Sequence, residues 1–351
     1  MRVAVIGGGV LGLATTAALV RSGAQVRCYE SVGPMSQRSA GPSRIFRLAH
    51  GSPELVGLAA QARRGYAEWA TLAGAELVTA VGTVLSGPDV PGWASAMAAA
   101  GADHRIVDAV DADLDPPVAS LPGPLLVDPA GGVVDARRTG DFLAGVAGDA
   151  LVHETVRTLE HSAGGVRVGT DSGWLSYDTG VLAAGAQTGV LGAQVGIDAP
   201  TTFAHHVRFT FPLRDPDLRP PCLIEKTESW RNGVTTYQHL VAPGLWAVGA
   251  HLPAGQNRWE LGREAVVATA RRLTSDYVRE NLRDTGAEPV DEQYCDIMDG
   301  WGDGFSVARS GAFLSLYGDN LFKLAPVLGA TLADAALNGS TPASIGMSVG
   351  V

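Results

Sequence analysis

Residues 2–12 read Arg2-Val3-Ala4-Val5-Ile6-Gly7-Gly8-Gly9-Val10-Leu11-Gly12. Arg2 to Ile6 is a short, β-branched run without polar alternation, the pattern of a strand buried on both faces. Leu13 to Arg21 then reads as a helix, with Leu13, Ala17, Ala18 and Val20 available for packing, and Gly23 ends it. A second strand is predicted over 25–29, with Glu30 at its end, 18 residues after Gly12. Each part suits the binding of a dinucleotide. Gly7 permits the tight turn, Gly9 lets a pyrophosphate approach the backbone, and Gly12 lets the helix sit close to the strand. The helix start offers free N–H groups and the positive end of its dipole to the phosphates. Glu30 is placed to accept ribose hydroxyls. Gly7, Gly9, Val10, Gly12 and Glu30 are the candidate contacts of this segment.

Two further segments belong with the first. Asp178 to Ala186 is an apolar strand running into small residues, with Gly185 allowing a close backbone approach. Residues 315–337 read as a strand end, a turn and a helix containing Gly329. Two-domain flavoproteins assemble an FAD site from three such separated pieces, whereas a nicotinamide-binding domain is normally one continuous stretch. At about 150 residues per domain, a chain of 351 residues suggests two domains. Hydrophobic residues at 46% and charged residues at 18% give ample material for a large core and exclude a disordered chain. The net charge of −10 disfavours nucleic acid and anionic membrane surfaces as partners. Cys28, Cys222 and Cys295 are widely spaced, which excludes a disulfide scaffold or a zinc site and fits the reducing cytoplasm. No leader-like or membrane-spanning stretch is expected. Only Lys226 and Lys323 are lysines among 26 basic residues, so each draws notice.

The chain resembles the D-amino-acid oxidase superfamily of flavoproteins, and most closely its monomeric sarcosine oxidase branch. The resemblance rests on Gly7–Gly12 with Glu30, on Gly41-Pro42-Ser43-Arg44-Ile45-Phe46-Arg47, and on the helix over 53–73 with Tyr66 and Trp69. It continues through Gly180–Ala186, Gly249-Ala250-His251, Cys295 with Phe305, and Phe322-Lys323-Leu324. It implies an α/β fold: a discontinuous Rossmann-type FAD-binding domain over 1–76, 139–201 and 296–351. A substrate domain built on a mostly antiparallel sheet would occupy 77–138 and 202–295. Alternating runs at 205–211 and 245–251 suit such a sheet. Residues 113–131, rich in Pro, Asp and Gly, read as loop.

The resemblance also implies roles. Arg44 would lie beside the flavin, and Arg47 with Lys323 would bind a substrate carboxylate, a task suited to the guanidinium fork. Cys295 would carry a thioether to the flavin 8α-methyl group. His251 would lie near the flavin and contact substrate or shape its amine pKa. Val156, Gly185, Asn320 and Leu321 would complete the FAD contacts, with Lys323. His205 and His206 are weaker candidates; adjacent on a strand, they face opposite ways and form no metal site. Two positions depart from the family. Ala247 stands where relatives carry a lysine that promotes the reaction of reduced flavin with oxygen, and Ala40 stands where they carry a histidine. Slow reoxidation and a substrate other than sarcosine are therefore expected.

The reading is an FAD-dependent amine or amino-acid oxidase or dehydrogenase. Its partners are a small carboxylate-bearing amine and O2 or another electron acceptor. The alternative is a flavin monooxygenase using NAD(P)H, which Gly318-Asp319 with Pro326 loosely resembles; a flavin-binding protein without turnover is a third reading.

Overall fold

The computed structural model describes residues 1–108, 121–298 and 302–346. Its first layer is a six-stranded sheet. Arg2–Ile6 lies at the centre, flanked by parallel strands Gln25–Glu30 and Thr179–Leu182. Leu151–His153 extends it on one side, and Phe313–Gly318 with antiparallel Phe305–Ser310 on the other. Three distant stretches of chain thus build one sheet, as expected. Val3, Ala4 and Val5 are wholly buried because helices cover one face and a three-stranded sheet, Val156–Ser162, Gly165–Thr170 and Gly173–Tyr177, covers the other.

The helix Val10–Arg21 packs on this sheet beside the helix Ala325–Asn338. A Cβ on Gly12 would lie 1.8 Å from the Gly7 carbonyl oxygen, and one on Gly329 would lie 2.5 Å from the Ala14 Cβ. These two glycines set how closely the first helix meets its strand and the last helix meets the first.

The second layer is an eight-stranded sheet, antiparallel except where Cys222–Glu225 runs parallel to Thr83–Ser86. Its central order is Asp291–Met298, Phe203–Pro212, Leu245–His251, then Thr235–Ala242. Side chains alternate between the two faces, with one irregularity between Leu240 and Ala242. Val207, Phe209, Phe211, Trp246 and Val248 pack on the outer face against the helix Arg263–Asn281. On the opposite face Arg208 and, from the strand Thr235–Ala242, His239 turn inward and meet Ser43. A small sheet of Ser43–Phe46, Val78–Thr79 and Gly132–Asp135 joins the two layers.

One expectation needs correction. Residues 113–131 read as loop, but Leu125–Asp128 is a strand of the large sheet, with all four residues buried. Its apolar run is only three residues, Leu125 to Val127, and Pro and Gly on both sides conceal it. Residues 109–120 lie outside the described residues.

Candidate active site

The glycine turn follows directly from the central strand. Gly7 has φ +108, a left-handed conformation open to glycine, and its absent Cβ would collide with the Ala183 carbonyl. Gly9 differs: its φ of −73 suits any residue, and a Cβ there would approach only Ser39 Oγ, at 3.2 Å. Nothing in the protein demands a glycine at position 9. The bare backbone at the helix start fits the close approach of a diphosphate, so the residues present fit FAD. Ser39 Oγ accepts the Val10 N–H at 3.0 Å. Glu30 Oε2 accepts the Gly8 N–H at 2.7 Å, and Oε1 accepts the Val32 N–H at 2.8 Å, which fixes the carboxylate at the strand end. Gly185 opens a helical turn after Thr179–Leu182 with φ +56. Val156 is half-buried and begins the small sheet just beyond the edge strand that pairs with Glu30.

Asn320, with φ +56, starts the turn Leu321–Leu324, which presents Lys323 before the last helix begins. Leu321 is buried there, and the Tyr66 hydroxyl donates to the Phe322 carbonyl at 2.7 Å. The helix Pro53–Ala73 thereby pins the turn. Arg47 lies just beyond the strand Ser43–Phe46, where Asp128 accepts the backbone N–H groups of Leu48 at 2.5 Å and Ala49 at 3.2 Å.

Arg47 and Lys323, 276 residues apart, meet at one carboxylate. Arg47 Nη2 is 2.5 Å and Lys323 Nζ 3.4 Å from the two carboxylate oxygens of Asp303. Arg47 is 8% and Lys323 5% exposed, so this is a buried cluster rather than a surface contact. Burial pushes the Lys323 ammonium down to about 8 against the pull of Asp303. Against the cost of burial, Arg47 and Lys323 hold the Asp303 carboxyl well below its usual range. His50 lies beside them, kept neutral by burial and by the two cations. The Arg47 guanidinium stacks 4.8 Å from the Trp93 ring centre, and Lys226 Nζ lies 4.7 Å from the same centre.

The second group lies on the inward face of the large sheet. His206 and Cys295 are cross-strand partners, as are Tyr237 and Gly249. His206 Nε2 is 2.7 Å from the Tyr237 hydroxyl, and the His206 and His251 rings lie 5.5 Å apart. His251 Nδ1 is 3.1 Å from Thr235 Oγ1. His251 is exposed at the strand end; desolvation and the Lys226 charge push its ring down to about 4. Burial, with His251 and Arg208 nearby, takes His206 to about 3. Both rings are neutral at pH 7. Burial raises the Cys295 thiol, opposed by Arg44, Arg38 and Arg208. Arg44 donates to the carbonyls of Arg38, Ala40 and Ser43 and stacks 5.4 Å from the Phe322 ring, joining the two groups.

The expected residues therefore fall into three neighbouring sets: the glycine turn with Glu30, the Arg47–Lys323 cradle, and the face carrying Cys295 and His251. His205 points the other way, stacked on Trp259 and 2.7 Å from the Tyr294 hydroxyl. Ala247 is wholly buried on the inward face, with no accessible surface. Sequence reading missed Asp303, His50, Tyr237, His239, Arg208 and Arg38, which pairs with Asp319. Period-two counting along 205–211 and 235–242 could have placed Arg208, Tyr237 and His239 beside His206 and Ala247. Nothing local marks Asp303. Among the described residues, no cluster of His, Cys, Asp and Glu could hold a metal.

The family described as FAD dependent oxidoreductase (DAO) matches residues 2–335. No curated protein matches the chain by sequence. Among solved structures, the open form of NikD, described as an unusual amino acid oxidase essential for nikkomycin biosynthesis, superposes with a TM-score of 0.82 at 21% identity, covering 97% of this chain and 95% of that one. L-proline dehydrogenase from P. horikoshii gives 0.77 at 15% identity, with 97% and 94% covered. Glycine oxidase from Geobacillus kaustophilus gives 0.73 at 19% identity, with 98% and 96% covered. Identities this low speak for the fold. The family match extends over nearly the whole chain and carries the assignment: this chain belongs to the DAO family of FAD-dependent oxidoreductases.

Proposed function

We propose that the enzyme oxidises the C–N bond of a small amine or amino acid that bears a carboxylate. The observation that carries this reading is the buried cradle: Arg47 and Lys323 converge on a carboxylate, that of Asp303. Two buried cations set to receive one carboxylate suit a substrate acid group, whose arrival would exchange one carboxylate for another. The solved structures most similar in fold include proteins described as an amino acid oxidase, a proline dehydrogenase and a glycine oxidase, in keeping with this chemistry.

FAD supplies the ring that accepts a hydride, and the remaining work falls to this chain. Arg47 and Lys323 orient the substrate by its carboxylate and fix which carbon faces the ring. Tyr237, His206 and His251 line the neighbouring wall as neutral groups, so they position the amine by hydrogen bonds and add no charge there. Cys295 on the same wall is proposed as the covalent attachment point. O2 or another acceptor would reoxidise the enzyme. Ala40 and Ala247, both departures from the sarcosine-oxidising pattern, point to a specialised biosynthetic substrate rather than sarcosine. Three free cysteines suit a cytoplasmic setting.

The test is anaerobic mixing of the yellow holoenzyme with cyclic and N-alkyl amino acids, and separately with NADPH. Bleaching by an amino acid with imine formation is expected. Bleaching by NADPH alone would transfer the protein to the hydroxylase reading.

A further inference from the structure

Arg208 lies in the middle of the strand Phe203–Pro212 and is 6% exposed. Its hydrogen-bond contacts are long and uncharged: Nη1 is 3.4 Å from His239 Nε2, and Nη2 is 3.5 Å from Ser43 Oγ. Among the described residues it makes no ion pair. Asp291, the acid that acts on it, sits exposed on the edge strand, opposite Thr210. The groups around it are His206 on its own strand, Cys295 and Gln293 on one side, Tyr237 and His239 on the other, and Arg44 from the small sheet that joins the layers. None of them is a carboxylate. A buried guanidinium without an anion is costly, and proteins normally match it. Of the other cations nearby, Arg38 pairs with Asp319, Arg47 and Lys323 pair with Asp303, and half-buried Arg44 donates at shorter range to three carbonyls.

The sheet also makes room for this charge. Leu245–His251 runs between the strands of Arg208 and His239, with Gly249 opposite Arg208 and Ala247 opposite His239. To reach His239, Arg208 must cross the middle strand where its residues are smallest. Ala247 is therefore no vacancy in the wall; its short side chain leaves the path that Arg208 takes. A Cβ on Gly249 would already strike the Tyr237 ring, at 2.1 Å.

We propose that Arg208 is an anion-binding residue of the catalytic wall, and that the anion it serves is the negative charge the bound flavin ring acquires on reduction. A substrate acid group is the other source of such charge, but Arg47 and Lys323 already provide for one. Arg208 touches Ser43 at the start of the strand Ser43–Phe46, while Arg47 follows its end. Four residues of extended chain, about 13 Å, separate the two points. Arg208 also shares its wall with Cys295. The inference rests on the FAD assignment and is independent of the substrate.

Sulfite is the probe, because it adds to the oxidised flavin ring and leaves a negative charge there that a nearby cation stabilises. It is titrated by loss of flavin absorbance in holoenzyme without substrate, for wild type, Arg208→Met and Arg208→Lys. Benzoate, read by the shift it causes in the flavin spectrum, reports the carboxylate cradle in parallel. The expected result is sulfite binding at least tenfold weaker in Arg208→Met, a lower flavin midpoint potential, partial recovery in Arg208→Lys, and benzoate affinity unchanged within about twofold. Should Arg208→Met fail to load FAD, Arg208→Gln carries the same comparison. Unchanged sulfite affinity and potential in a variant of normal FAD content overturn the proposal. Loss of benzoate binding with sulfite affinity retained also overturns it and assigns Arg208 to a substrate acid group.

Discussion

Arg47 Nη2 lies 2.5 Å from a carboxylate oxygen of Asp303, inside a pocket where both side chains are largely sequestered. The cradle and its occupant come from the same chain, so an incoming carboxylate has to compete with Asp303. Replacing Asp303 by Asn removes the competing charge while keeping its shape. Asp303→Asn should bind benzoate at least several-fold more tightly than wild type. Weaker benzoate binding in this variant would show Asp303 to be a fixed scaffold for the two cations instead.

Lys323 gives the cradle a pH dependence. Its folded value is lowered to about 8, below the ordinary 10.5, so it is protonated below that pH and loses its charge above it. Carboxylate binding should hold from pH 6 to 7 and weaken as pH rises through about 8, leaving Arg47 alone to bind. In Lys323→Met that decline should vanish. A titration of benzoate affinity against pH in the two proteins checks it; a decline of equal size in both rules Lys323 out as its source.

Gly9 and Gly12 separate cofactor binding from folding. A Cβ at Gly12 would lie 1.8 Å from the Gly7 carbonyl oxygen, whereas one at Gly9 meets only Ser39 Oγ, at 3.2 Å. Gly9→Leu should therefore give folded, colourless protein with a cooperative melt, and Gly12→Leu a protein that fails to fold or melts far lower. Normal FAD content in Gly9→Leu would remove the pyrophosphate from this position.

Cys295 shares its wall with His206 and has Arg38, Arg44 and Arg208 within electrostatic reach, all of which favour the thiolate against the cost of burial. A thiolate is the form that adds to an electrophilic carbon. Acid-precipitated wild type should stay yellow, and Cys295→Ala should release free FAD. If the wild-type supernatant carries all of the flavin, the thioether is absent.

The strand–turn–helix–strand unit at residues 2–30 was plain in the sequence, because its parts are local. Strand, turn, helix and acid lie within 30 residues, and each glycine answers a steric need of its neighbours. That Arg47 and Lys323 would meet was legible only through family resemblance, since they come together through the sheet and the helix Pro53–Ala73, not through spacing. Asp303 was not legible at all: one acid in a Gly-rich loop carries no periodic signal. The inward wall was half legible. Alternation marked 205–211 and 245–251 as strands, but which strands adjoin is a matter of topology. Without the neighbouring strand, Ala247 reads as a missing charge; beside Arg208 and His239 it reads as clearance.

One comparison separates carboxylate binding at Arg47 and Lys323 from a purely structural role for the pair. The rate of anaerobic flavin bleaching is measured for an amino acid that reduces the enzyme and for its decarboxylated amine, in wild type and in Arg47→Met. Truncating one member of a buried charged pair costs about 2–5 kcal/mol, and 1.4 kcal/mol is a factor of ten. Wild type should prefer the acid by at least about 30-fold, and this preference should collapse in Arg47→Met, with FAD content intact. Equal rates for acid and amine in wild type, or a preference undiminished in Arg47→Met, would contradict carboxylate binding at the pair.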